Sequence, residues 1–367
     1  MSSPHAAHRA PYIRRFLAPV TAILTALALA LTGCSLSSSG GGDKVLTVAI
    51  WKGYGADLPW VAQDFKAKTG ATLRFQYIDS EDNLIQLMSK ADGSIDVGLP
   101  NLQYIGRGID QGVFLPLDTG RLDNYNDLYK RFSGLGEIRS AGKLYGLPWT
   151  WGSTGLFYNA KDFPTAQTSL NALWDPANKG KVAVIDDANV VVPITALRLG
   201  LDPQNPDMSK IRPALAQLKS NAKTIYSSGT DLAKAISTGT VDVGIGNSDE
   251  VGGIEGDTPG LTYTIAHEGA VGWIDNWAIS AKSKHQDLAY QWLNYMTSSD
   301  FLNKYVGPPA NQAPAPANET VAKQFNQSIL DRLQANPDKI DSLVLQLPEP
   351  ADRLQAWNDA WQEAKAS

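Results

Sequence analysis

The chain has 367 residues, 32 of them basic and 37 acidic, for a formal net charge of −5, with one cysteine and ten tryptophans. A nucleic-acid binder would need a basic face, which this balance argues against. A single cysteine leaves no disulfide framework, so core burial must stabilise the fold, and the length suffices for two domains of ordinary size.

The N-terminal stretch carries Arg9, Arg14 and Arg15, and the run from Phe16 to Leu31 has no charge. A basic segment, an apolar segment and then small residues is the order of a secretory signal. The apolar run is short for a stable membrane span. Its end, Leu31-Thr32-Gly33-Cys34, resembles a bacterial lipobox, which implies cleavage before Cys34 and a lipid on that thiol. The signal is then 1–33, and losing its three arginines leaves 29 basic against 37 acidic side chains, a net charge near −8. Residues 34–43 read as the lipidated cysteine followed by a Ser/Gly-rich tether that cannot bury a core. The mature protein is expected at the outer face of the cytoplasmic membrane or in the periplasm.

Folded structure is expected from Lys44. Val45 to Ile50 is a short apolar strand. Asp57 is placed to cap a helix whose apolar positions Leu58, Val61, Ala62 and Phe65 recur at helical spacing, and Gly70 ends it. Leu73, Phe75 and Tyr77 alternate as a second strand. Ser80 opens a helix carrying Leu84, Leu87 and Met88, and Ile95 and Val97 give a third strand. Later, Lys181 to Ile185 is a strand, Asp231 caps a short helix through Ile236, Gly239 turns, and Val241, Val243 and Ile245 form another strand. Helices follow around Leu288, Trp292 and Met296 and around Leu354, Trp357 and Trp361. Pro308, Pro309, Pro314 and Pro316 mark a long extended loop between those two helices. Strand and helix alternate, which predicts an α/β protein with mainly parallel sheets flanked by helices.

Open sheets of this kind take ligands beyond the carboxyl ends of their strands. The exits are Trp51-Lys52-Gly53-Tyr54, Pro100 to Tyr104, Pro148 to Ser153, Asp186-Asp187, Asn247 to Glu250 and Gly272 to Trp277. Trp51, Trp149, Trp151, Trp273 and Trp277 lie there beside isolated carboxylates. Flat aromatic faces next to carboxylates suit an organic cation, through cation–π contact and ion pairing.

These segments, in this order, resemble the spermidine/putrescine-binding proteins of ABC importers, which have the type-II periplasmic binding protein fold. The matching stretches are Trp51 to Tyr54, Ile95 to Pro100, Tyr145 to Gly152, Leu173 to Pro176, Lys179 to Ala188, Val241 to Asn247 and Gly269 to Ile279. The resemblance implies two α/β lobes joined by hinge strands and closing on a ligand. Lobe 1 is expected to hold 45–153 and 275–324, lobe 2 154–274 and 325–367, with crossovers near Trp151 to Ser153 and near Asp275. It also implies ligand-binding roles for Trp51, Tyr54, Asp187, Asn247, Trp273 and Asp275, with Asp275 in the family's Trp-x-Asp segment pairing with an ammonium. The chain departs from the pattern where Gly53, Val190, Gln103 and Gly246 replace a glutamate, a glutamate, an aromatic and a tryptophan. Lys52 is counted among the binding residues as a cation near the pocket. It would repel a polyamine by on the order of 1–4 kcal/mol at close range. The expected ligand is a polyamine of the putrescine or spermidine kind, captured between the lobes and delivered to the permease. The alternative, which Lys52 opposite Asp275 would fit better, is a ligand with one cationic and one anionic or polar end: a zwitterionic amine, betaine, aminophosphonate or thiamine-like molecule.

The implied partners are a small organic amine, permease subunits with a cytoplasmic ATPase, and the membrane through Cys34. The protein is expected to act as a monomer without cofactor or metal. A sensor role presenting the same ligand uses the same hinge. An enzyme is not expected. Past the signal only His267 and His285 remain, and no Gly-x-Ser-x-Gly elbow occurs. Asp186 and Asp187, adjacent on a strand, point apart.

Overall fold

A computed structural model describes residues 44–367 apart from Ala91, Gly256, Ala335 and Asn336. The signal, Cys34 and the tether lie outside the described residues.

Thirteen strands are described. They are β1 (Val45–Trp51), β2 (Thr72–Ile78), β3 (Val97–Gly98), β4 (Arg139–Ser140), β5 (Lys143–Leu144), β6 (Leu147–Asn159), β7 (Val182–Ile185), β8 (Ala222–Tyr226), β9 (Val243–Asn247), β10 (Leu261–Thr264), β11 (Ala270–Ile279), β12 (Ala315–Pro316) and β13 (Leu343–Leu345). All but the β4–β5 hairpin join one sheet in the order β2-β1-β3-β11-β6-β9-β7-β8, with β10 and β12 also paired to β6 and β13 to β11. One arm, β2-β1-β3, is parallel, and so is the other, β9-β7-β8. Strand-helix-strand connections force that sense, because a parallel neighbour can be reached only by crossing over. The arms are joined by the long strands β6 and β11, which run antiparallel from Thr154 opposite Val271 to Leu147 opposite Trp277 and slip register between Asp275 and Asn276. Both long strands are buried along nearly their whole length. That explains their near-continuous apolar and aromatic sequence in place of an alternation.

Each arm has its own core. Phe65, Trp149, Trp277, Trp292 and Phe301 stack beside β1 and β3, while Val182, Val191, Leu215, Trp357 and Trp361 surround β7. The last helix, Ala351–Ala366, is tied to the second core by the Trp361 indole, which donates to Asp186 Oδ1 at 2.7 Å. Leu333, Ile340, Leu343 and Leu345 pack into the first core instead.

Several local expectations are corrected. The first helix is Pro59–Thr69, with Leu58 at its N-cap and no side-chain cap. Pro59 has no N–H to satisfy and a preset φ, so it starts the helix itself. Asp57 is used one turn earlier, accepting the Gly53 N–H at 3.0 Å. Gly70 does end the helix, at φ 74°. The helix Gly229–Ser237 is capped by Ser228, and Asp231 lies inside its first turn as the returning half of a capping box, accepting the Ser228 hydroxyl at 2.9 Å. Ile95, Lys181 and Val241 fall just outside their strands. The proline-rich loop is interrupted by β12 and by the helices Glu319–Ala322 and Gln327–Leu333.

Candidate functional site

A cleft of about 530 Å³ opens at the carboxyl ends of β1, β7, β8 and β9. From the first arm come Trp51 at the end of β1, Tyr54 in the following turn, Glu81 in the first turn of the helix Glu81–Met88, and Asn101, Gln103 and Tyr104 around the start of Leu102–Asp110. The joining strand β6 supplies Thr154, and from the second arm come Asp187 with Asn189 and Val190, Tyr226 to Ser228, Asn247, and Asp249 and Glu250 in the first turn of Ser248–Glu255. The joining strand β11 supplies Trp273 and Asp275, and Gln346 follows β13.

Asp275 is the most enclosed of these carboxyls, 6% exposed. The Tyr54 hydroxyl donates to its Oδ2 at 2.5 Å and the Asn101 amide to its Oδ1 at 3.0 Å. Burial pushes it up to about 6, against the pull of those two bonds. Asp249 is raised to about 6 by burial. Glu250 reaches about 7 through burial and the charge of Asp249. Glu81 reaches about 8, chiefly through burial and then through Asp275. Asp187 caps the helix Ala188–Leu199, accepting the Asn189 N–H at 2.8 Å, and burial still raises it. Five carboxyls thus share one cleft, and no lysine, arginine or histidine lines it among the described residues. Each is harder to ionise than an isolated carboxyl, the condition that a bound cation relieves.

Trp273 packs its ring on Gly152, the residue opposite it in the β6–β11 ladder; a Cβ at 152 would come within 2.2 Å of the ring. Asn247 is fixed by the Thr154 hydroxyl, which donates to its Oδ1 at 2.6 Å.

Six of the seven ligand-binding residues expected from the sequence line the cleft: Trp51, Tyr54, Asp187, Asn247, Trp273 and Asp275. Lys52 does not, and its inclusion is corrected. Its side chain is exposed and its ammonium lies 5.9 Å over the ring of Tyr77, on the edge strand β2. β1 ends at Trp51, and Lys52 lies in the turn that follows. The group of five tryptophans also divides. Trp149, Trp151 and Trp277 are core residues, the first two with indole N–H groups bonded to the carbonyls of Met296 and Pro316. Asp186 points away from Asp187 to hold Trp361 and Lys365. Sequence reasoning missed Glu81. Its only signal was an acidic residue just after the helix cap Ser80. Asp249 and Glu250, part of the strand exit Asn247 to Glu250, do line the cleft.

The chain matches the model of a family described as bacterial extracellular solute-binding proteins over residues 60–337, about three quarters of its length. The chain belongs to this family. Its members bind solutes outside the cytoplasm and are not enzymes. Among curated relatives, the spermidine/putrescine-binding periplasmic protein 1 of Haemophilus influenzae is 24% identical over 370 residues, which cover 97% of this chain and 100% of that one. The spermidine/putrescine-binding periplasmic protein of Escherichia coli is 26% identical over 246 residues, 66% of this chain and 70% of its own. Among solved structures, a spermidine/putrescine ABC transporter substrate-binding protein from Streptococcus pneumoniae superposes with a TM-score of 0.77 at 19% identity, covering 88% of this chain and 99% of that one. The fold is therefore the type-II periplasmic binding protein fold. For this solute-binding protein the two histidines have local roles. His267 Nδ1 lies 2.8 Å from the Thr168 carbonyl and His285 Nδ1 3.1 Å from Asp96. No cluster suited to a metal ion occurs among the described residues.

Proposed function

We propose that this protein captures a polyamine of the putrescine or spermidine kind and delivers it to the permease of an ABC importer. The observation that carries the reading is the cleft itself: five carboxyls, two indole faces and no basic side chain. Asp275 ion-pairs with one ammonium, Trp51 and Trp273 flank the carbon chain, and Asp187, Asp249 and Glu250 meet the cationic groups on the facing wall. Charge-assisted bonds of this kind are short and strong once water is excluded, and each cation–π contact adds about 0.5–2 kcal/mol. The names of the curated relatives support the same ligand class. A zwitterionic ligand needs a cation opposite Asp275. Lys52, the residue that suggested one, lies outside the cleft.

Two lobes, 45–153 with 275–324 and 154–274 with the last helix, close over the ligand by bending at β6 and β11, and the segment from Leu333 to Leu345 goes with the first lobe, whose core it joins. Cys34 carries the lipid that holds the monomer at the outer face of the membrane beside its permease.

Thermal melting of the purified protein against putrescine, spermidine, agmatine, γ-aminobutyrate and betaine tests the ligand class. An amine at a hundred times its dissociation constant adds about 2.7 kcal/mol of stability. Stabilisation by γ-aminobutyrate or betaine alone would overturn the polyamine reading. Membrane association lost in Cys34→Ser tests the anchor.

A further inference from the structure

Glu81 lies outside the stretches by which the sequence resembles the polyamine-binding proteins, yet it lines the cleft. Ser80 caps its helix, accepting the Asn83 N–H at 3.1 Å, so the helix starts at Glu81 and that side chain turns toward the carboxyl end of β1. Oε1 accepts the backbone N–H of Asn101 at 3.2 Å. The side-chain amide of that same Asn101 donates to Asp275 Oδ1. One asparagine, at the N-cap of the next helix, therefore holds two carboxyls that arrive from different elements. The outer oxygen of Glu81, Oε2, is buried and has no hydrogen-bond partner. Trp51 is near enough to ease the ionisation of Glu81 slightly, yet no hydrogen bond closes on Oε2.

A buried carboxylate oxygen with nothing to bind is costly, and a second carboxylate beside it adds like-charge repulsion. Both the vacancy at Oε2 and the paired charge call for a group that is cationic and carries more than one N–H. A primary ammonium offers three donors and a guanidinium five, whereas a quaternary ammonium offers none. Aromatic faces alone would hold a quaternary head; this pair of carboxyls would not be satisfied by it.

We infer that Glu81 and Asp275, set by Asn101, form a two-carboxylate seat for one N–H-bearing cationic end of the ligand, a primary ammonium or a guanidinium. The inference rests on the cationic-amine reading of the cleft and adds to it the residue that distinguishes an N–H cation from a methylated one. Asn101 is a positioning residue and Glu81 a contact residue. The groups facing Glu81 are Asp275 on β11, Asp82 on its own helix and the Tyr104 hydroxyl on the next. Arg107 is engaged by Asp82, so no base neutralises the pair from within the protein.

The test is calorimetric binding of putrescine, spermidine, agmatine and choline to the wild type, Glu81→Gln and, as a surface control, Glu363→Gln, between pH 6 and 9. The wild type is expected to bind one or more of the N–H amines and to bind choline at least tenfold more weakly. Its affinity should rise with pH toward about 8, where Glu81 loses its proton. Glu81→Gln should lose tenfold or more in amine affinity and most of that pH dependence, with an unliganded melting temperature at or above the wild type. Asn101→Ala, which removes the side-chain amide from Asp275 but keeps the backbone N–H on Glu81, should weaken the same ligands. The control should match the wild type. Equal amine affinity and an unchanged pH profile in Glu81→Gln would overturn the seat while leaving the polyamine reading intact. Choline binding as tight as putrescine would also overturn it. A wild type that binds no amine would overturn both.

Discussion

Asp275→Asn separates a binding carboxylate from a structural one, because the two roles move stability in opposite directions. In the unliganded protein the buried carboxyl titrates near 6 in place of 3.8. That difference of about two pH units amounts to about 3 kcal/mol of penalty for holding it ionised. The sign follows from the raised value. The folded state keeps its proton up to about pH 6 and the unfolded chain releases it near 4, so the penalty is absent below pH 4 and complete above pH 6. Asparagine keeps the shape and both contacts: its oxygen still accepts from the Asn101 amide, and its amide now donates to the Tyr54 hydroxyl, which can turn to accept. The unliganded variant should therefore melt several degrees above the wild type at pH 8 and level with it near pH 4. Its affinity for a di- or triamine should fall roughly 10- to 100-fold, the worth of one hydrogen bond to a charged group, about 1.5–3 kcal/mol. Scanning calorimetry at the two pH values and titration calorimetry at pH 8 read both effects. A variant that keeps wild-type affinity, or that melts lower at pH 8, would refute the assignment of Asp275 to the ligand.

Three further outcomes are expected. Lys52→Ala should change amine affinity less than twofold in direct titration, because the ammonium sits over Tyr77 and not in the cleft; a clear gain would put the lysine back beside the ligand. Gly152→Ala places a methyl group 2.2 Å from the Trp273 ring, so it should weaken binding at least tenfold while indole fluorescence reports a shifted tryptophan. Acidification from pH 8 to 5 should raise the melting temperature of the unliganded protein. Glu81, Glu250, Asp249 and Asp275 all titrate above their unfolded values, so the stability they contribute is largest at low pH and is lost as pH rises through about 6 to 8. Saturating amine should flatten or reverse that trend, and a melting temperature that falls over this range without ligand would contradict it.

The alternation of apolar strands with helical spacing was enough to read the two parallel arms, because burial on both faces writes itself into runs such as Val182 to Ile185. The strand exits led to Trp51 and Asp187 for the same reason: the topology decides which end of a strand faces the cleft. Gly272 to Trp277 and Pro148 to Ser153 are not exits but lie inside β11 and β6, so Trp273 and Asp275 reach the cleft from mid-strand. Two kinds of information were not there to be read. Whether Trp149 or Trp273 lines the cleft depends on which face of β6 or β11 turns toward it, and those strands are buried on both, so no periodicity separates them. Glu81 looked like an ordinary acidic first-turn residue, favourable at any helix N-terminus. Only the approach of Asn101, twenty positions on, shows that it serves the cleft. Lys52 stands beside Trp51 in sequence, but β1 ends at Trp51 and the lysine, in the turn that follows, lies over Tyr77 and outside the cleft lining.

Among the described residues no basic side chain lines the cleft, and this acts before contact is made. Low-dielectric walls whose charged groups are all carboxyls focus a negative potential outward from the mouth, so a small cation diffusing past would be drawn in over roughly a Debye length, about 8 Å at physiological ionic strength. Encounter is thereby accelerated without any gain in residence time. In a compartment whose salt follows the surroundings of the cell, the rate of capture would then track external ionic strength while the strength of the closed complex, screened from solvent, would change far less.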